Sequence, residues 1–230
     1  MDNYFNYFTE VEEYFVRKRG KNLLVSPMDW GLIELWRDSG IPLHIVLRGI
    51  ERSFESTQSR QKRSPNTLAY CHPAILEAFD EYNQAMIGAS TESREEETAS
   101  QGDPSQVEAV LNFLQELESA LKAHPNELSQ RSSERVTALR SEVSSAQSID
   151  FRELDRDLAQ MGVALSESLQ KEMGAEKAKE LQSEVKKEMK IYRKRLSKEM
   201  YQRLEKNYLD RKILALHGLP EFSLLGVERA

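Results

Sequence analysis

Seven cations crowd the segment from Lys186 to Lys198: Lys186, Lys187, Lys190, Arg193, Lys194, Arg195 and Lys198, with Tyr192 among them. A helix carrying them would present a surface able to neutralise backbone phosphates, with an affinity that falls as salt rises. The competing reading is a solvated helix face balanced by Glu184, Glu188 and Glu199, or by an acidic stretch of the same chain. Arg60, Lys62 and Arg63 form a second basic cluster, in a polar loop beside Ser64-Pro65. Arg17, Lys18, Arg19 and Lys21 form another, where cations oppose the negative end of a helix and a structural role suffices. The candidate nucleic-acid contacts are therefore the seven residues of the long run together with Arg60, Lys62 and Arg63.

Nucleophilic and metal chemistry find little to work with. Cys71-His72 is the one adjacent nucleophile and base, and neighbouring residues on a helix point apart. His44, His72, His124 and His217 are scattered, without the spacing of a helical metal site. No Walker loop, dinucleotide glycine fingerprint or zinc knuckle is present. The expectation is a protein that is not an enzyme and takes no cofactor and no metal.

Charge is uneven. The chain has a net charge of −6, yet residues 171–230 carry 15 Lys and Arg against 10 Asp and Glu, while residues 66–103 carry 8 acidic residues against one Arg. An anionic partner should meet the basic end and be repelled by the acidic centre. The lone Cys71 makes no internal disulfide, and the N-terminus lacks a basic start followed by an apolar stretch. Both point to a cytoplasmic protein. Apolar runs such as Ile213 to Leu216 are far shorter than the roughly 20 residues of a membrane span.

The elements that would position these residues read as helices throughout. Tyr4, Phe5, Phe8, Val11, Phe15 and Val16 recur at three and four, predicting a helix that ends at Gly20. Ser26 as cap, Pro27 at the first helical position and Asp29 in the first turn start a second helix. Trp30, Ile33, Leu35 and Trp36 supply its buried side, with burial expected for both tryptophans, and Ser39-Gly40 closes it. Pro42 restarts a third, with Leu43, Val46, Leu47, Ile50 and Phe54 on one stripe, and Asn66 to Ile87 reads as a fourth.

Residues 88–104 lack large apolar anchors and predict a flexible acidic linker between a helical module at 1–87 and a helical bundle at 105–230. In the bundle, Ser105 and Glu108 have capping-box spacing ahead of Val107, Val110, Leu114, Leu117 and Leu121. A more polar helix follows at Leu128 to Ala146. Asp150 and Glu153 then repeat the capping pattern ahead of Leu154, Leu158, Met161, Leu165 and Leu169, which lead to Gly174. From Ala175 to Leu216 one long helix is allowed, but Ser197 with Glu199 marks a restart, favouring a break near Arg195 to Lys198. The end, Phe222, Leu224 and Leu225 after Pro220, is an apolar tail that either tucks back or docks on a partner.

At Gly20 to Phe54 the order of features resembles the helical module of the DnaD family of primosomal proteins. The residues GKNLLVSPMDWGLIELWRDSGIPLHIVLRGIERSF follow that family's glycine and basic residue, Ser-Pro helix start, glycine turn and aliphatic helix. Asn66 to Tyr70 with Ile75 and Phe79 extends the likeness to residue 79. Phe79 stands where the family has Trp, and Tyr70 to Ile75 is one residue longer than its spacing. The resemblance implies DNA and replication-initiation proteins as partners. The expected architecture is all-α, a compact helix-turn-helix-like module followed by an antiparallel helical bundle. The expected role is a non-enzymatic accessory protein that binds DNA; the alternative is a scaffold that binds only other proteins through its helices or its C-terminal tail.

Overall fold

The computed structural model describes residues 6–20, 25–59, 64–88, 104–146 and 148–224. Among them there are ten α-helices, one short 3-10 helix and no strand, so the protein is all-α. No helix among the described residues is long and apolar enough to cross a membrane. The chain divides into two compact units, Met1–Glu96 with Ser183–Tyr208, and Glu97–Gln182 with Leu209–Ala230.

The first unit begins with α1 (Asn6–Arg19), which buries Phe8, Val11 and Phe15, and α2 (Pro27–Asp38), which buries Leu32, Ile33, Leu35 and Trp36. Trp36 is fully enclosed, whereas Trp30 is half-buried and stacks on Phe8 with ring centroids 5.7 Å apart. Helix α2 starts as its residues dictate: the Ser26 hydroxyl accepts from the Asp29 amide at 3.1 Å and Pro27 occupies the first turn. It ends in a paired stop, with Gly40 N–H donating to Arg37 O and Ile41 N–H to Trp36 O. Gly40 sits at φ +72°, where a side chain is costly, and the buried Ile41 seals the turn.

Helix α3 (Leu43–Ser59) buries Ile45, Val46, Ile50 and Phe54, while Leu43 and Leu47 of the expected stripe stay partly exposed. The helix expected from Asn66 instead divides. A 3-10 turn at Leu68–Tyr70 precedes α4 (His72–Gly88). Pro73 explains the division, since inside a helix starting at Asn66 it would remove an amide donor and clash with the preceding turn.

The second unit contains α5 (Pro104–Ala123), α6 (Glu127–Ser145) and α7 (Phe151–Met173). Val110, Leu114, Leu117 and Leu121 form the buried seam of α5, and its first helical residue is Pro104, so Ser105 lies inside the first turn rather than capping it. Asn126 caps α6, accepting from the amides of Leu128 and Ser129. The stripe of Val136, Leu139 and Val143 is completed by buried Ser129, Ser132 and Ser133, polar residues small enough to fit. Asp150 caps α7 through the Arg152 and Glu153 amides, each at 3.0 Å, and the helix ends before Gly174.

The described part of the apolar tail, to Leu224, tucks back into this unit. Leu219, Phe222 and Leu224 are buried, and a Cβ on Gly162 of α7 would lie 2.8 Å from the Phe222 Cβ, so glycine makes room for the ring. The buried Asp155 carboxylate accepts from Leu224 N–H at 2.7 Å and from the Ser223 hydroxyl at 3.0 Å.

Beyond Gly174 the chain forms α8 (Ala175–Glu188), α9 (Lys190–Arg193) and α10 (Lys198–Leu216), with turns at 194–197, so the expected break is present. Residues 105–230 do not all group together, however: Ser183–Tyr208 belongs with the N-terminal helices. Periodicity announces a buried stripe but is silent about which residues cover it. Most of the expected linker, 89–103, lies outside the described residues.

Candidate nucleic-acid interface

The basic run occupies the end of α8, all of α9 and the turn into α10. Its phase is set by an apolar stripe, Val185, Met189, Tyr192 and Leu196, which steps by four, three and four and is buried throughout. The helical hydrogen bonds carry on across Met189, whose amide donates to Val185 O at 2.9 Å and whose carbonyl accepts from Arg193 N–H at 3.1 Å. At about 100° per residue, Lys186, Lys187, Lys190, Arg193 and Lys194 then share an arc of roughly 120° away from that stripe. All seven cations of the run are exposed. Glu184 and Glu188 fall on the other flank, and Tyr208 donates to Glu188 at 2.6 Å.

Arg195 N–H donates to Tyr192 O at 2.9 Å, which tightens the helix end, and the Ser197 hydroxyl accepts from Met200 N–H at 3.2 Å to start α10. A buried polar anchor holds the segment to α2. Tyr192 donates to Asp29 Oδ1 at 2.7 Å and lies 3.1 Å from the Ser26 hydroxyl, while Asp29 also accepts from Leu68 N–H at 3.0 Å. Burial pushes the Asp29 carboxyl up, opposed by the hydrogen bonds from Tyr192, Ser26 and Leu68. Burial also raises Tyr192, and the Asp29 charge adds to it. Asn207 donates to Glu34 at 2.9 Å, a second tie between α10 and α2.

The cations differ in their surroundings. Arg195 lies over the Tyr70 ring at 4.5 Å from its centroid, and Lys186 reaches Glu205 at 4.0 Å. Lys187, Lys190, Arg193, Lys194 and Lys198 form no ion pair among the described residues. The N-terminal cluster contrasts with them. Lys18 pairs with Glu51 at 2.6 Å, Arg17 and Lys18 lie over Tyr14, and Arg19 lies over Phe15 and donates to Asn66 O. Lys18 and Tyr14 together hold the Glu51 carboxyl below its usual range. Arg60, Lys62, Arg63 and Lys21 lie outside the described residues.

Cys71 and His72 are both buried and separately engaged. Burial pushes the Cys71 thiol up to about 12, so it is protonated at neutral pH. His72 Nδ1 accepts from the Trp36 indole N–H at 3.0 Å, and burial pulls the imidazole down to about 4. In the second unit the structure joins two histidines that read as scattered: His124 and His217 have ring centroids 5.6 Å apart, and His124 Nδ1 lies 3.1 Å from the Ser129 hydroxyl. Each follows the end of a helix, but nothing local announces their pairing. No group of three or more His, Cys, Asp or Glu side chains among the described residues is placed to hold a metal.

A family model described as "Uncharacterised protein" matches residues 6–91, less than half of the chain. This corrects the DnaD resemblance, because no DnaD-like family was found. The features behind that likeness, a Ser-Pro start, a glycine turn and an aliphatic stripe, are common devices of helices joined by short turns and do not mark a family. No curated protein matches the chain. No solved structure matches it either.

Proposed function

We propose that the chain is a non-enzymatic binding protein that engages nucleic-acid phosphates through the cationic face of 186–198. The observation that carries this reading is the exposure of Lys187, Lys190, Arg193, Lys194 and Lys198 without ion pairs among the described residues. Lys190, Arg193 and Lys194 lie on the side of the helix away from Glu184 and Glu188, so the acidic flank does not balance them. The anchoring of Tyr192 by Asp29 supports the reading, since it gives the cations a set direction. Replication partners rested on the corrected resemblance and form no part of it. Burial of Phe222 and Leu224 within their own unit weighs against these two residues as a contact of the scaffold alternative; Leu225 of the expected tail lies outside the described residues. The compartment implied is the cytoplasm, where nucleic acid is at hand.

Fluorescence anisotropy of a labelled DNA duplex, titrated with the full chain from about 50 to 300 mM salt, tests this. Binding in the micromolar range or tighter that weakens steeply with salt is the expected result. No binding at the lowest salt would contradict it.

A further inference from the structure

We infer that the cationic face takes its nucleic acid single-stranded, with Tyr70 and Tyr201 offering ring faces to unpaired bases. This rests on the phosphate-binding reading above and adds the substrate class. The first unit encloses Trp36, Phe8, Phe15 and Tyr192, yet leaves Tyr70 40% exposed on the 3-10 turn. Leaving a ring in water forgoes the stabilisation that its burial would bring. Tyr70 is also held in place: the Arg195 guanidinium covers part of the ring at 4.5 Å from the centroid, and the Ser53 hydroxyl lies 3.5 Å from the Tyr70 carbonyl.

Tyr201, in the first turn of α10, is partly exposed. Arg195 of the run therefore neighbours Tyr70, and Lys198 lies three positions before Tyr201 on α10, the spacing of neighbours on a helix surface. A duplex offers phosphates but keeps its base faces stacked inside, so the rings would gain nothing from it. A single strand offers phosphates and base faces together, which is the combination of cations and aromatic rings found at this turn.

The test uses the full chain with two labelled probes, an oligothymidylate of about 20 nucleotides and a duplex of equal length, followed by anisotropy. The expected result is tighter binding of the single strand by about tenfold or more. Tyr70→Ala should weaken strand binding about tenfold and duplex binding less than about twofold, while Tyr70→Phe, which keeps the ring, retains wild-type affinity. Circular dichroism checks the fold of each variant; should Tyr70→Ala lose helicity, Tyr201→Ala carries the same expectation. Equal or tighter duplex binding would overturn the inference, as would unchanged strand affinity in both alanine variants. In either case a loss caused by Lys190→Gln with Lys194→Gln would leave the phosphate-binding reading standing. Failure of both probes to bind at low salt would overturn the two together.

Discussion

The basic run at 186–198 and the apolar tail at 219–224 both present themselves in the sequence as contact surfaces, and the fold treats them oppositely. Each is held by a buried aspartate. Asp29 binds Tyr192 of the run, and Asp155 binds the Leu224 amide and Ser223 of the tail. In the tail the anchor and the apolar side chains face the same way, so Phe222 and Leu224 are consumed by their own unit. In the run they are separated: Tyr192 and its apolar neighbours are buried while the cations stay outside. A run of one chemistry is thus available to a partner only if another stripe of the same segment holds it in place.

The largest effect should come from breaking the first anchor. Asp29→Ala leaves the Leu68 amide without its acceptor and the Tyr192 hydroxyl with only the Ser26 hydroxyl, and should cost about 4 kcal/mol in chemical denaturation. Asp29→Asn retains an acceptor oxygen and should cost far less. Equal losses would mean that the charge, rather than the hydrogen bonds, secures the run. Breaking the tail is the parallel experiment. Phe222→Ala should destabilise the second unit by about 3 kcal/mol and speed proteolysis at 219–224. A tail cleaved equally fast in the parent protein would contradict its packed assignment.

Acid offers a milder way to loosen the unit that carries the cations. His72 is neutral and accepts from Trp36, and its folded pKa of about 4 lies below the unfolded value of about 6.5. The folded state therefore binds the proton less readily than the unfolded state. Stability from this group is complete above about pH 6.5 and is lost as pH falls toward about 4, by up to about 3 kcal/mol. Thermal melts of parent and His72→Gln across that range should differ in slope, the variant being flatter. Parallel curves would place the acid sensitivity elsewhere.

Features written in a few adjacent residues were legible in the sequence. Ser26-Pro27 and Asp150 start helices, Gly40 and Gly174 follow helix ends, and Leu114 to Leu121 is a buried seam. The basic run was legible as a charged surface, and Ser197 as its limit. Pro73 was equally available as a sign that no helix could run through from Asn66, and Asn126 as a cap ahead of Glu127. The remainder depends on pairings distant in sequence. Neither Tyr192 with Asp29 nor His124 with His217 has a local signature, and the grouping of 183–208 with the N-terminal helices follows from such pairings. The burial of Ser129, Ser132 and Ser133 runs against their polarity; Ser129 meets His124 Nδ1 and Ser133 donates to Gln130 O, partners that appear only once α6 is packed.

The smallest expected effect on folding accompanies the most direct test of the account. Replacing Lys190, Arg193, Lys194 and Lys198 together by Gln removes four exposed charges while nearly preserving helix propensity, so folding should change by only a few tenths of a kcal/mol per site. If these residues meet phosphates, the slope of log affinity against log salt should become shallower by up to about 0.9 for each duplex phosphate left without its cation, or about 0.7 on a single strand. Salt-dependent binding of parent and variant, measured on preparations with matched helicity and thermal midpoint, reads this directly. A shallower slope with an intact fold is the predicted result; an unchanged slope with an intact fold would reject this face as the site of binding.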